Sequence, residues 1–194
     1  MGNYMFKTRV LIDLLENGDR QDFGKHILPS ILETHRVVAY PYRRENKIED
    51  VIFYTDEDGE RRETVEIIRD AGYWRDVGTL DSYWNANMDL TGLDPSFNLY
   101  GKNWPINTYQ IPSPPSQFDL SNERPEGFRV GKALDSIVAP GSIINGIVRN
   151  SVISYYVFIQ SWATVEESVI MDDVIVGPNC KIKKAIIDKH NVIP

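Results

Sequence analysis

The segment from residue 174 to residue 188 has the sequence VIVGPNCKIKKAIID, in which an apolar residue recurs at every sixth position. The same spacing runs through the last third of the chain as two interleaved series. A bulky aliphatic residue every six positions, with a second apolar or small residue four positions later, is typical of a left-handed parallel β-helix. Three such units complete one coil, and their inward side chains stack into a continuous core. The series are Val152, Phe158, Thr164, Ile170, Val176 and Ile182, and Val174, Cys180, Ile186 and Val192.

The inward side of this β-helix follows from the register of the series. We predict that Val176, Cys180, Ile182 and Ile186 point into the core. Upstream, two flanking pairs compete with the series for the inward positions, so a one-residue slip is expected near Glu166. The competing pairs are Val157 with Ile159, and Ala163 with Val165.

Three regions are predicted along the chain: an α/β segment over residues 1–111, a proline-rich linker over 112–133 and the β-helix over 134–194. In the first region, hydrophobic periodicity and turn residues predict alternating helices and strands. The second of its helices contains Pro29, and we expect it to start late or to kink there. The elements are strands at 2–6, 37–42 and 73–77, helices after residue 6, after residue 22 and from Leu80 to Leu90, and a hairpin of 51–54 with 64–68.

The net charge, the lack of long apolar stretches and the low numbers of Cys and His residues exclude several classes of function. The formal net charge is -7 and the acids are spread along the chain, which argues against a nucleic-acid or anionic-membrane surface. The sequence has no apolar stretch of 18 or more residues, so it predicts no membrane span. The single cysteine, Cys180, fits a reducing cytoplasm. The sequence has only one Cys and three scattered His residues, so we predict no Cys/His zinc site.

The run GYWRDVGTLDSYWNAN, residues 72–87, carries the most chemical information. It predicts a strand that ends at Asp76, then a glycine turn, then a helix with Thr79 as its N-cap. A carboxylate beside a helix N-terminus is a plausible place for a phosphate or for Mg²⁺, which prefers carboxylate oxygens together with substrate phosphates. The alternative is that Asp76 is an ordinary helix N-terminal charge and Trp74 fills the core.

The motif YWRDVGT, residues 73–79, resembles a signature of the glucose-1-phosphate adenylyltransferases. The resemblance implies that Asp76 is catalytic and holds Mg²⁺, and that Trp74 and Asp76 line the glucose 1-phosphate pocket. The segment DFGK, residues 22–25, and the segment MGNY, residues 1–4, resemble two further elements of the family. They imply sugar contacts from Asp22, Phe23 and Tyr4. The segments 97–100, 103–109 and 185–189 follow in family order, and Lys189 lies where the family places an allosteric basic residue.

The resemblance also implies a fold, a reaction and an assembly. The expected fold is the sugar-binding part of a Rossmann-like nucleotidyltransferase domain, followed by a left-handed β-helix. The expected reaction converts ATP and glucose 1-phosphate into ADP-glucose and diphosphate, in glycogen biosynthesis, by a homotetramer. No segment resembles the family's Gly-rich phosphate loop, so the chain is expected to be a fragment or a truncated gene product and to be inactive alone.

Three alternatives remain open. The chain could be a non-catalytic regulatory or assembly subunit of the same family, although the intact Trp74 and Asp76 weigh against it. It could be a hexapeptide-repeat acyltransferase, but such enzymes generally need a catalytic histidine between coils, and the repeats contain His190 alone. It could also be a nucleotidyltransferase for another sugar or base, against which the segments 22–25 and 103–109 argue.

Overall fold

The structure is a computed structural model that describes residues 2–16, 22–67, 69–92, 95, 97–103, 105–121 and 128–194. The chain divides into two compact units, residues 1–45 and residues 46–194. Within the described ranges, no helix is long and apolar enough to cross a membrane.

The first unit consists of short helices. Helix α1 spans Thr8–Glu16, a π-helical turn spans Phe23–Ile27, α2 spans Leu28–Ile31 and α3 spans Tyr42–Glu45. Pro29 lies in the first turn of α2, where its missing N–H costs no helical hydrogen bond, and this confirms the predicted late start. The predicted strands at 2–6 and 37–42 are wrong, because these residues form no strand. A strand needs a paired neighbour, and none of this unit's described residues forms one.

The second unit begins with the predicted hairpin, which is confirmed. Strand β1 (Glu49–Thr55) pairs antiparallel with β2 (Arg61–Ile67). The turn between them is organised by the Asp56 carboxylate, which accepts from the Glu60 amide at 2.8 Å and from Arg62 Nε at 2.8 Å. These bonds, the Arg62 bond foremost, hold the pKa of Asp56 below its ordinary value of 3.8.

A 3₁₀ turn (Arg69–Gly72) and helix α4 (Leu80–Met88) follow the hairpin. The helix begins where predicted and ends two residues earlier. The strand predicted at 73–77 is wrong: these residues form no strand, and side-chain bonds to Asp89, just past the end of α4, hold them instead.

The remainder of the unit is a parallel β-helix of about four turns, which confirms the predicted fold class. Its strands are β3 Gln117–Phe118, β4 Leu120–Ser121, β5 Arg129–Val130, β6 Lys132–Leu134, β7 Ile137–Val138, β8 Ile143–Ile144, β9 Ile147–Arg149, β10 Val152–Ile153, β11 Phe158–Ile159, β12 Thr164–Glu166, β13 Val169–Ile170, β14 Ile175–Val176, β15 Lys181–Lys183, β16 Ile186–Ile187 and β17 Val192–Ile193. Three parallel sheets form the sides, and an antiparallel pair, β4 with β5, lies beside them. In sheet order the sides are β16-β13-β10-β7, β17-β14-β11-β8-β3 and β15-β12-β9-β6.

Paired strands stack inward residues in three columns, one along each sheet. The predicted inward positions of Val176, Ile182 and Cys180 are confirmed: the first two belong to the buried core and Cys180 packs against it. The position of Ile186 is wrong, because its neighbour Ile187 packs against the core instead. The columns are Ala133, Val148, Val165 and Ile182; Val138, Ile153, Ile170 and Ile187; and Ile144, Ile159, Val176 and Ile193.

The error at Ile186 has a local cause. One corner of the β-helix is a residue shorter than six and recurs in successive coils, so that Val165 is followed by Ile170, and Ile182 by Ile187, as the next inward residue of the columns. The first of these corners is the slip predicted near Glu166, and the second places Ile187 inward. Glu167 takes a left-handed backbone at the corner, with φ 48°. The buried Ser168 then donates to the Glu166 carbonyl at 2.6 Å and accepts from the Ala185 amide at 3.1 Å.

The segment before the predicted start of the β-helix already joins it. Strand β3 pairs with β8, and β6 pairs with β9, although both precede or reach residue 134. The proline-rich stretch packs on a corner of the β-helix, where the Pro114 carbonyl accepts from the Gly141 amide at 2.7 Å. The division at residue 45 likewise differs in position from the predicted boundaries at 111 and 133, which stay predictions.

Candidate functional site

Asp76 and Trp74 lie on the segment that leads into α4. Thr79 caps the helix: its side chain accepts from the Ser82 amide, and Ser82 Oγ accepts from the Thr79 amide at 3.0 Å. Asp76 is exposed, and its Oδ1 accepts from the Gly78 amide at 3.1 Å. Trp74 is 40% exposed, so it is not core filler. The segment thus presents a carboxylate and an indole to solvent just ahead of a capped helix N-terminus.

The two residues that alternate with Trp74 and Asp76 are fixed to the other end of α4. Arg75 donates from Nη2 to Asp89 Oδ1 at 3.0 Å and from Nε to Oδ2 at 2.5 Å. The Tyr73 hydroxyl donates to Asp89 Oδ2 at 3.0 Å, and its ring stacks on Phe97 at 4.9 Å. The hydrogen bond to Asp89 raises the pKa of Arg75, while burial and then Asp89 raise the pKa of Tyr73. The Arg75 guanidinium is therefore already bound by the Asp89 carboxylate.

Tyr4, Asp22 and Phe23 come together in the first unit. The rings of Tyr4 and Phe23 stack with centroids 5.7 Å apart. Asp22 Oδ1 accepts from the Lys25 amide at 2.7 Å, so Asp22 is the N-cap of the π-helical turn. A Cβ on Gly24 would lie 3.5 Å from both Asp22 Oδ1 and the Tyr4 hydroxyl, so this glycine leaves both oxygens accessible from its side.

The remaining predicted residue, Lys189, lies in the turn between β16 and β17. It is exposed, and its amide donates to Asp188 Oδ1 at 2.8 Å. An effector role for Lys189 stays a prediction.

The chemistry of Asp76 fits a magnesium ion that is completed by substrate. In the described part of the chain, no three His, Cys, Asp or Glu residues cluster as a metal site would need them. Mg²⁺ commonly takes one or two protein carboxylates and fills its other positions with phosphates and water. The exposed Asp76 carboxylate is a ligand of that type, and the nearby helix N-terminus favours a phosphate rather than the metal.

Sequence reasoning missed two acidic residues that organise the region. Asp89, only 15% exposed, holds the site segment as described above. Asp50, only 2% exposed, accepts from the amides of Val51, Lys102 and Asn103 at 2.8, 3.0 and 3.1 Å. A side chain at Gly101 would collide with Asp50 Oδ2, at 2.5 Å, which explains this glycine. Neither role has a signal in the sequence, because Asp89 binds Tyr73 and Arg75, and Asp50 binds residues 102 and 103, across long stretches of chain.

Two family models match separate parts of the chain. Residues 1–92 match the family described as nucleotidyl transferase, and residues 114–194 match the family described as GlmU-like, C-terminal hexapeptide. By sequence the chain is a relative of the glucose-1-phosphate adenylyltransferases, which confirms the resemblance carried by its motifs.

Two relatives illustrate the match. The chain is 44% identical to glucose-1-phosphate adenylyltransferase 2 of Pseudoalteromonas atlantica, over 100% of this chain and 41% of that protein. It is also 44% identical to glucose-1-phosphate adenylyltransferase of Shewanella sp. strain MR-4, over 100% of this chain and 42% of that protein. The chain thus spans about two fifths of the length of these relatives.

Proposed function

We propose that this chain supplies the glucose 1-phosphate side of a glucose-1-phosphate adenylyltransferase. In the proposed reaction, glucose 1-phosphate attacks the α-phosphorus of ATP, and ADP-glucose and diphosphate are released. The observation that carries the proposal is the exposed pair of Trp74 and Asp76, held ahead of the α4 N-terminus within the matching motif. In this proposal the protein positions its substrates and stabilises charge, and forms no covalent intermediate.

Each residue has a role that its surroundings permit. The rings of Trp74, Tyr4 and Phe23 provide flat apolar surfaces for a sugar. Asp22 uses one oxygen as an N-cap, and its second oxygen is proposed to accept from a sugar hydroxyl. Asp76 would hold Mg²⁺, which when bound neutralises phosphate charge.

Further properties belong to the same proposal. We place the enzyme in glycogen biosynthesis, as a cytoplasmic homotetramer with an effector bound near Lys189. The low cysteine count supports a reducing compartment. Sedimentation of the enzyme tests the tetramer, and effector titration of a Lys189→Ala variant tests the effector site.

The chain alone is expected to form no ADP-glucose. Its sequence lacks a segment like the Gly-rich phosphate loop, and the loss of one key electrostatic group costs about 100- to 1,000-fold in kcat. The measurement is ADP-glucose formation by purified chain, free of host enzyme. A chimera in which this chain replaces the matching part of the Pseudoalteromonas atlantica relative provides the positive control. Turnover by the isolated chain would contradict the expectation.

The same chimera tests the metal role of Asp76. Asp76→Asn keeps the side-chain shape and removes one charge, so kcat is expected to fall by about 100- to 10,000-fold. Asp81→Asn is the matched control, since Asp81 is an exposed acid in the first turn of α4. Near-normal turnover of Asp76→Asn at saturating Mg²⁺ would mean that Asp76 is only an ordinary charge near the N-terminus of α4. A chimera that folds but stays inactive would favour a non-catalytic subunit.

A further inference from the structure

We infer that Asp89 is a positioning residue, which fixes the orientation of Trp74 and Asp76 by holding their neighbours Tyr73 and Arg75. The inference deepens the proposed function and rests on it for the roles of Trp74 and Asp76. Asp89 is separated from Asp76 by the whole length of α4, and neither a motif nor the comparisons single it out.

The first step of the argument is the bonding of the Asp89 carboxylate. Both of its oxygens accept from the Arg75 guanidinium, and Oδ2 also accepts from the Tyr73 hydroxyl. Two-point binding of a guanidinium fixes the planes of both groups, and bonds to charged groups are stronger than neutral ones. The Asp89 side chain is also only 15% exposed, whereas that of Arg75 is 49% exposed.

The second step is the alternation of the segment. Residues 73 and 75 are bound to Asp89, although Arg75 is exposed, as are residues 74 and 76. At its far end the segment is fixed by the Asp76–Gly78 bond and by the Thr79 cap. The segment is thus held at both ends of α4, and this restraint replaces the strand pairing that residues 73–77 lack.

The third step is the consequence for binding. Some groups hold a metal ligand in position without contacting the metal. Removal of such a group lowers the metal affinity by about 10- to 100-fold. Release of Tyr73 and Arg75 leaves Trp74 and Asp76 chemically intact but removes the restraint that Asp89 places on the backbone between them. We therefore expect weaker binding of Mg²⁺ and glucose 1-phosphate without any change in the groups that touch them.

The test uses ¹⁵N-labelled full chain and two measurements. Backbone order parameters at Trp74 and Asp76 should be about 0.85 in the unaltered chain and below about 0.6 in Asp89→Ala, with β-helix values unchanged. Chemical-shift titration with Mg²⁺ plus glucose 1-phosphate should show binding weakened by about 10- to 100-fold in Asp89→Asn. Asp89→Glu, which keeps the carboxylate, should recover most of the order and affinity. Asp81→Ala should behave as the unaltered chain.

The outcomes separate the inference from the proposed function. Unchanged order parameters in Asp89→Ala would overturn the positioning role, as would unchanged affinity in Asp89→Asn. If Asp89→Ala loses the β-helix resonances, Tyr73→Phe and Arg75→Lys, which each remove part of the contact, decide by the same measurements. If the unaltered chain shows no ligand-dependent shifts, the proposed binding function fails, and the order parameters alone decide whether Asp89 fixes the segment.

Discussion

Asp50 is a carboxylate that the fold buries and then surrounds with amide donors. Burial raises the pKa of Asp50, but the amides of Val51, Asn103 and Lys102, together with the charge of Lys102, outweigh it, so the pKa lies below its ordinary value of 3.8. A group with a lowered folded-state pKa stabilises the fold above its unfolded pKa, and this contribution is lost as the pH falls through the folded value.

We therefore predict an acid-sensitive attachment of the loop at residues 101–103. Asp50→Asn should lower the urea midpoint at pH 7, and its difference from the unaltered chain should shrink as the pH falls below about 3.8. Urea titrations from pH 7 to pH 3 measure the effect. Asp58→Asn, in the exposed turn of the same hairpin, is the control and should show a smaller difference at pH 7. A difference for Asp50→Asn that is independent of pH would contradict the prediction.

At the scale of the element, the corners of the β-helix combine special backbone with close contacts. Gly141 has φ 81°, and a Cβ there would lie 2.8, 2.9 and 3.2 Å from three atoms of the Tyr156 ring. Its amide also donates to the Pro114 carbonyl, so the proline-rich stretch is attached at the same corner. Glycine is therefore needed at position 141 for two reasons: its φ is positive, and the Tyr156 ring leaves no space for a Cβ.

Gly141→Ala is expected to destabilise the β-helix by more than the left-handed backbone alone explains. The backbone part costs about 1–2 kcal/mol, and displacement of Tyr156 adds to it. Gly59→Ala is a matched control, because Gly59 has the same φ of 81° but no atom within 4 Å of the position that a Cβ would take. Thermal and urea unfolding of both variants give the comparison. Equal losses in the two would show that the Tyr156 contact has no role.

The β-helix was predictable because its period is a property of the sequence alone. A repeat of six with apolar positions can bury those positions only by stacking coils. The series could not fix which of two adjacent apolar residues faces inward, and Ile186 with Ile187 shows why. Both residues are isoleucine, so hydrophobicity does not distinguish them. The short corner at Lys184 decides, since it brings Ile187, five positions after Ile182, into line with Ile170.

At the scale of the whole molecule, Trp84 joins the site helix to the β-helix. Trp84 donates from Nε1 to the Glu167 carbonyl at 2.7 Å, and Lys184 Nζ lies 5.2 Å from the centre of its ring. Glu167 and Lys184 are equivalent corner residues of successive coils, with φ of 48° and 49°. Helix α4 therefore contacts the β-helix at a corner that successive coils form together.

Trp84→Phe should lower the free energy of unfolding by about 1–3 kcal/mol, because the Glu167 carbonyl loses its donor in a partly buried place. Lys184→Met, which keeps the side-chain stem and removes the charge, should cost only about 0.5–1 kcal/mol. Denaturant unfolding measures both. The prediction fails if the two variants lose equal stability, or if Trp84→Phe loses none.

The site was only partly predictable for a related reason. Thr79, Asp76 and the helix of α4 are local features, and capping chemistry identifies them along the chain. The strand at 73–77 was wrong because extended residues become a strand only with a neighbour, and here Asp89 provides side-chain bonds in its place. Contacts such as Trp84 with Glu167 join residues 83 positions apart and leave no pattern in the sequence.

The short length of the coils has a consequence for how this chain folds. From β6 onward, each strand pairs with one that lies 15 or 17 residues further along. Parallel sheets usually join distant segments and form slowly, because a large loop must close before any pairing is gained. Here the separation is roughly a tenth of the chain, close to the relative contact order of helical bundles. Each completed coil also exposes strand edges with which the strands of the next coil can pair. The β-helix can therefore fold one coil at a time, starting from one end.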